Sequence, residues 1–270
     1  MNAFLKRITL NTRLFFEGAF LSYVALFRWL RPMTYLASKV IAPLTQMLFF
    51  VFIGAYASGS QNAAFYVIGN SLIFTASSGI FGVTMSIGGE RWSGTLPYLF
   101  GTPANRMALF LGRAFMHIFD GMLGVFIGLI WGILLFKLDL SRTDLPALTL
   151  TIFITTFSTA GLGLLMGCLS LITRNVMFVN NTAYFLLLVF SGANLDISTL
   201  PRWMQAVSNV LPLTRGVTST RALIAGGKLT EITPLLGQEI LIGVVFVLLG
   251  YIMFRRFEYE AKVRGTLEVF

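Results

Sequence analysis

Apolar residues in this chain gather into long blocks separated by short polar stretches. Six blocks fall at 34–56, 64–87, 117–136, 147–171, 177–193 and 235–254. Each approaches the roughly 20 residues a helix needs to cross a bilayer core about 30 Å thick, the fifth being the shortest. The third is expected to begin before the membrane, near Met107, because Arg113, His117 and Asp120 precede its cleanest apolar run. The pattern predicts an all-α integral membrane protein with six transmembrane helices. The run at 14–27 is too short to span and is interrupted by Glu17, with basic residues at both ends. It predicts an amphipathic helix lying in the membrane interface within 1–31, not a seventh span. Between the fifth and sixth blocks, 194–230 is semi-apolar and broken by Pro201 and Pro212. Two short helices re-entering from the outside suit it, since irregular backbone at membrane depth must be buried in protein or line water.

The polar loop at 88–106 carries an apolar stripe of its own. Trp92, Leu96, Leu99 and Phe100 recur at i, i+4, i+7 and i+8, the spacing of one helical face. Such a helix on a membrane loop calls for a partner surface, either the bilayer interface or another protein. Pro97 is tolerated in a first helical turn, so Thr95 as N-cap would restart the helix and split the segment in two.

Composition agrees with the blocks. Apolar residues make up 56% of the 270 and charged residues 11%, with mean hydropathy +0.80; a soluble domain carries about 25% charged residues. The net charge of +9 reads as topology, not as nucleic-acid binding, because Lys and Arg accumulate on the cytoplasmic side of membrane proteins. Lys6, Arg7, Arg13, Arg28 and Arg31 precede the first block, and Arg91 and Arg106 follow the second. Arg174 follows the fourth, and Arg255, Arg256, Lys262 and Arg264 lie in the tail. The opposite loops are uncharged or balanced, as Lys137 and Arg142 are by Asp139 and Asp144. Both termini are therefore expected in the cytoplasm. No cleavable signal peptide is expected.

The chain offers little catalytic chemistry. With one histidine, His117, and one cysteine, Cys168, neither a His-based metal cluster nor an intrachain disulfide is expected. No G-x-x-x-x-G-K-[ST] loop is present; Gly226-Gly227-Lys228-Leu229 lacks the spacing and the hydroxyl. The length leaves no room for six spans and a nucleotide-binding domain. Arg113, His117 and Asp120 can share one helix face, either as a contact to a neighbouring helix or partner, or as a helix entrance satisfied by local pairs and headgroups. Lys39 is expected to snorkel to the interface. Glu239 either pairs with Arg215 or Arg221 or faces a pathway; no acidic residue stands at the centre of a predicted span. The phenylalanines of blocks one, two and five face either lipid or a conduit. Gln46, Asn70, Asn180, Asn181 and Tyr184 are candidates for lining a pathway or meeting a partner helix.

The pattern E-R-x-x-G-T-L-x-x-L-x-x-T-P-x-x-R, Glu90 to Arg106, contains Glu90, Arg91, Trp92, Gly94, Thr95, Leu96, Leu99, Phe100 and Arg106. It resembles the first cytoplasmic loop of ABC-2 type transporter permeases, although Pro97 stands where many members carry an acidic residue. Ser191-Gly192, Leu200-Pro201-Arg202-Trp203, Leu211-Pro212-Leu213-Thr214 and Arg221-Ala222-Leu223 resemble the external helices before that family's last span. The resemblance covers essentially the whole chain, as one transmembrane domain of residues 1–270. It implies docking of the loop at 88–106 onto two copies of a separate ATP-binding subunit, which would bind ATP and Mg; none is expected on this chain. It also implies a second permease chain, identical or homologous, in a bacterial inner membrane. Export of a small amphipathic compound (drug, antibiotic, peptide or lipid-like molecule) is the expectation, with polysaccharide or lipid-linked glycan export as the alternative. From another class, an ion-gradient-driven carrier would show inverted repeats and mid-membrane ionisable residues.

Overall fold

In the computed structural model the described residues are 3–29, 32–58, 63–102, 105–173 and 175–264. Arg31, Pro103 and Arg174 lie outside them, as do the side chains of Lys6, Arg7, Arg28, Trp92 and Arg264. All regular secondary structure among the described residues is helical. Helix α1 (Ala3–Trp29) is followed by α2 (Pro32–Leu36), a π-helical turn (Ala37–Ile41) and α3 (Ala42–Ser58). A second π-turn (Ser77–Gly82) joins α4 (Ala63–Ala76) to α5 (Val83–Trp92), after which comes short α6 (Leu96–Gly101). Then follow α7 (Arg106–Phe136), α8 (Leu145–Thr173) and α9 (Val176–Phe190). A 3₁₀ turn (Ile197–Thr199), α10 (Arg202–Val210), α11 (Thr214–Ile224) and α12 (Leu229–Arg264) complete the chain.

Among the described residues five helices are long and apolar enough to cross a membrane: Ala37–Ala57, Ala63–Arg91, Arg106–Phe136, Leu145–Thr173 and Leu229–Val263. The protein is thus an all-α, multi-pass membrane protein. The fifth sequence block becomes α9, of only 15 residues, against about 17–25 for a spanning helix. Local chemistry sets its limits. The Asn175 side chain accepts the Phe178 N–H at 2.9 Å, an N-cap, and Gly192 at φ +80° turns the chain away after Ser191. The third span starts at Arg106 as the sequence suggested, and this has a consequence for Asp120. It stands near the middle of a 31-residue helix, correcting the expectation that no acidic residue does. Helix α1 is not among the spanning helices. It packs along α7, with the Phe15 ring 5.4 Å from that of Phe115.

The interrupted region before α12 folds as the two expected short helices. Asp196 accepts the Ser198 N–H and hydroxyl, both at 2.9 Å, which holds its carboxyl below the ordinary carboxylate range. Pro201 occupies the N-cap of α10, and Leu213, at φ +78°, precedes α11. A leucine in the left-handed region is strained and persists only when its surroundings fix it.

Helix α8 is the hub, packing on α4, α5, α7, α9, α11 and α12. Small residues let these backbones approach, as helices in lipid require. A Cβ on Gly163 would lie 1.8 Å from the Gly79 carbonyl oxygen, inside the second π-turn, and one on Gly161 would lie 2.7 Å from that of Gly243 in α12. Two apolar clusters result. One surrounds the middle of α4, α7 and α8 together with α9 and α11. The other joins α5, α6, the start of α7, the end of α8 and Phe254 of α12.

Gly163→Val should destabilise the chain by about 3 kcal/mol, because the opposing atom is backbone and cannot rotate away. Gly237 has nothing within 4 Å of a built Cβ, so Gly237→Ala should be neutral or raise stability by up to about 1 kcal/mol. Unfolding of both variants in detergent, followed by circular dichroism, checks the pair.

Candidate functional site

The loop between the second and third spans is split where the sequence predicted. Ser93, Gly94 and Thr95 donate their N–H groups back to Gly89, Arg91 and Glu90 at 2.8, 3.1 and 3.0 Å, and Gly94 adopts φ +66°. Helix α6 then restarts at Leu96 with Pro97 in its first turn. Thr95 occupies the N-cap position without capping α6; its hydroxyl reaches back to the Glu90 carbonyl at 3.1 Å and to the Glu90 carboxylate.

Of the apolar stripe, Leu96, Leu99 and Phe100 are covered by other parts of this chain, while the side chain of Trp92 lies outside the described residues. Leu96 and Phe100 are 1% and 7% exposed, buried with Met107, Phe110 and Phe254, and Leu99 packs against that cluster. The rings of Phe254 and Phe257 lie 6.3 and 6.2 Å from Phe100. Periodicity shows that a helix has an apolar side but not whether its cover comes from the same chain. The outward surface of α6 is instead Tyr98, 79% exposed, beside Gly101 and Thr102.

The charged residues of the motif are internal struts. Arg113 of α7 pairs with Glu90 and donates to the Ser86 carbonyl at 2.7 Å. Arg91 donates to the Leu171 carbonyl at the end of α8. Arg106 donates to the carbonyls of Leu99, Phe100 and Thr102 at 3.1, 2.8 and 2.8 Å, closing the C-terminal end of α6, where such groups lack helical partners. Its guanidinium also lies over the Phe100 ring at 5.0 Å and pairs with Glu258 of α12. Three charged contacts therefore fasten the loop to α7, α8 and α12.

Arg113, His117 and Asp120 serve three separate contacts with neighbouring elements. His117 is buried against Gly82, where a Cβ would lie 2.3 Å from its Nδ1. Asp120 pairs with Lys39, so the ammonium that the sequence suggested would reach the interface ends on a carboxylate of α7. Ser78 bridges them, accepting from Lys39 Nζ at 2.9 Å and donating to Asp120 at 2.7 Å. Lys39 and Ser78 both belong to π-turns, which are frequent at functional positions in helices.

Glu239 forms no direct ion pair with either arginine, although Arg215 stands close enough for its charge to act on the carboxylate. Its carboxylate accepts the Ser158 hydroxyl and, at 2.6 Å, the Leu213 N–H, which helps to hold Leu213 in its strained conformation. Arg215 bonds the Gln238 side chain at 2.8 Å and the Asn209 carbonyl at 2.7 Å. Arg221 lies 3.5 Å over the Phe65 ring and donates to the carbonyls of Gly192, Phe65 and Ala193 at 2.8, 2.9 and 3.0 Å. Backbone acceptors hold the Arg221 guanidinium, and one backbone acceptor and one side-chain amide hold that of Arg215.

The polar pathway candidates do not converge. Tyr184 donates to Gln46 at 2.7 Å, and Asn70 to Asn194 at 2.8 Å. Asn180 is fully buried, whereas its neighbour Asn181 is exposed. Asn181 shares the exposed side of α9 with Phe178 and Phe185, and α3 likewise exposes Phe49, Phe52 and Tyr56. Sequence reasoning missed Lys39, Ser78, Ser158 and Glu258 as partners; each stands far along the chain from the group it meets.

The sequence model of the ABC-2 type transporter family matches residues 19–225. None of the curated proteins compared with the chain matches it.

Replacing Lys39 by Met or Asp120 by Leu alone should each destabilise the protein by about 3 kcal/mol, since the remaining buried charge loses its opposite charge, while the double replacement should recover most of the loss. Unfolding of the three variants in detergent measures this; equal and additive losses would contradict the pairing.

Proposed function

The chain belongs to the ABC-2 type transporter family, and from that premise we propose that it is the permease subunit of an ATP-driven exporter whose ATP-binding subunits grip the loop at 88–106. The observation that carries this reading is the way the loop is built. It presents Tyr98 outward while Glu90, Arg91 and Arg106 tie it to α7, α8 and α12. A push on such a loop moves three long helices together and leaves it little room to yield alone. Nucleotide-driven closure of the partner subunits would thereby rock the helices and change access, a rigid-body mode of switching.

In this reading ATP and Mg are held by the partner, the loop faces the cytoplasm and both termini lie on that side of a bacterial inner membrane. The short helix α9 completes a sixth crossing, and α10 and α11 re-enter from the outer leaflet. A second permease chain covers the apolar side of α3 and α9. The presence of exposed Asn181 among the phenylalanines supports a protein cover there, since a polar amide facing lipid tails is costly. The cargo is a small amphipathic compound, drawn from the membrane into a path between the two chains. The Asp120–Lys39 pair does not favour an ion-gradient carrier, because each charge is neutralised by the other.

Tyr98→Asp tests the proposal without disturbing the buried side of α6. ATPase activity of the reconstituted complex should lose its stimulation by cargo and transport should fall at least about tenfold, the effect of roughly 1.4 kcal/mol. Folding should stay unchanged. Full transport by Tyr98→Asp, or transport driven by a proton gradient without ATP, would count against it.

A further inference from the structure

We propose that the chain holds one anionic glycerophospholipid as a resident ligand, in a groove walled by α1, α7, α8 and α12. The groove has two ends of opposite character. The inner end is a cavity of about 440 Å³ lined only by apolar side chains, among them Phe15 of α1, Ala114 and Ile118 of α7, Phe157 and Leu164 of α8, and Val247 of α12. The outer end, about 500 Å³, brings Asn11 of α1 and Arg106 of α7 together with Tyr251, Arg255 and Glu258 of α12. Leu111 lines both. Along α12 the apolar end runs from Ile240 to Val247, roughly 10 Å at 1.5 Å per residue, and the polar end follows at once from Tyr251 to Glu258. Apolar depth, then an aromatic hydroxyl, then arginine is the order in which a lipid passes from acyl chain through glycerol to headgroup.

Charge selects the headgroup. Glu258, its side chain 7% exposed, is shared by Arg106, Arg255 and Lys262. One carboxylate cannot neutralise three cations, and the Arg255 and Lys262 side chains remain 63% and 52% exposed. The adjoining surface beside Tyr251 and Tyr259 carries Arg256 together with Glu260, so Arg106, Arg255, Arg256 and Lys262 face two carboxylates and the cations stay in excess. Basic pockets between membrane helices attract anionic headgroups, each arginine near the surface contributing about a fivefold gain in affinity. A zwitterionic lipid would leave this excess unmatched, and a peptide would bring backbone groups that the apolar end cannot pair. Arg106 and Glu258 sit at once in this groove and in the junction that fastens the loop, so the lipid would brace that junction. The inference depends neither on the direction of transport nor on its cargo.

The test is native mass spectrometry of the full chain, extracted in mild detergent from membranes containing phosphatidylethanolamine, phosphatidylglycerol and cardiolipin. One anionic phospholipid per chain should remain bound, identified by fragmentation. Arg255→Ala should weaken retention about fivefold and Arg255→Glu should abolish it; Ala114→Phe, which fills the apolar end, should abolish it without altering charge. Arg202→Glu on α10 should change nothing. Arg255 is exposed, so its variants remain folded, verified by gel filtration. Equal retention of phosphatidylethanolamine, no bound lipid on the wild-type chain, or unchanged retention by Arg255→Glu would overturn the proposal. So would release of the lipid during ATP turnover with an ATP-binding subunit, which would make it cargo.

Discussion

The guanidinium of Arg106 donates to three carbonyls at the end of α6 and pairs with Glu258 of α12, and the geometry of the loop depends on that junction. A six-residue helix has no stability of its own, because forming the first turn is unfavourable and few bonds follow to offset it. Helix α6 exists because Leu96 and Phe100 are buried beneath it and Arg106 satisfies its free end. Remove the cation and three carbonyls lose a donor while Glu258 keeps only its more exposed partners. The same residue begins α7, so the end of the loop and the start of a spanning helix are one object.

A second constraint acts deeper. Lys39, Ser78 and Asp120 bind the first three spans at two π-turns. A π-turn adds a residue to the helix and shifts which side chains face a neighbour. Here the shift is used to bring a serine and a lysine onto a carboxylate that lipid would otherwise disfavour. With Gly163 seated on the carbonyl of Gly79, the second span has close contacts on both sides of the same turn. The first three spans are thus joined to one another well away from the loop, which suits movement as a body.

The helical blocks were legible from hydropathy because burial in lipid imposes a length that one sequence carries. The division of the loop before Pro97 was legible too, since proline acts on its own backbone, whereas the left-handed turn at Gly94 was not anticipated. What periodicity could not reveal was the direction of the face: Leu96 and Phe100 have the spacing of a docking surface, yet Phe110 and Phe254 of the same chain cover them. The ion pairs were hidden for another reason. Asp120 and Lys39 are 81 residues apart, and Arg106 and Glu258 are 152 apart, so no local spacing announces them. Charge alone offers Arg215 or Arg221 as a partner for Glu239, or a pathway for it to face, but Arg221 went to backbone carbonyls, which no sequence displays, and Arg215 to the Asn209 carbonyl and the Gln238 side chain.

Coupling through this loop depends on what touches the outward side of α6. A photoreactive amino acid placed at position 98 and activated in native membranes during turnover measures this directly. The account predicts a single adduct with an ATP-binding subunit and no reaction of position 98 with an impermeant reagent applied from outside the cell. Labelling from outside, or no adduct while that subunit is bound to the complex, would contradict it.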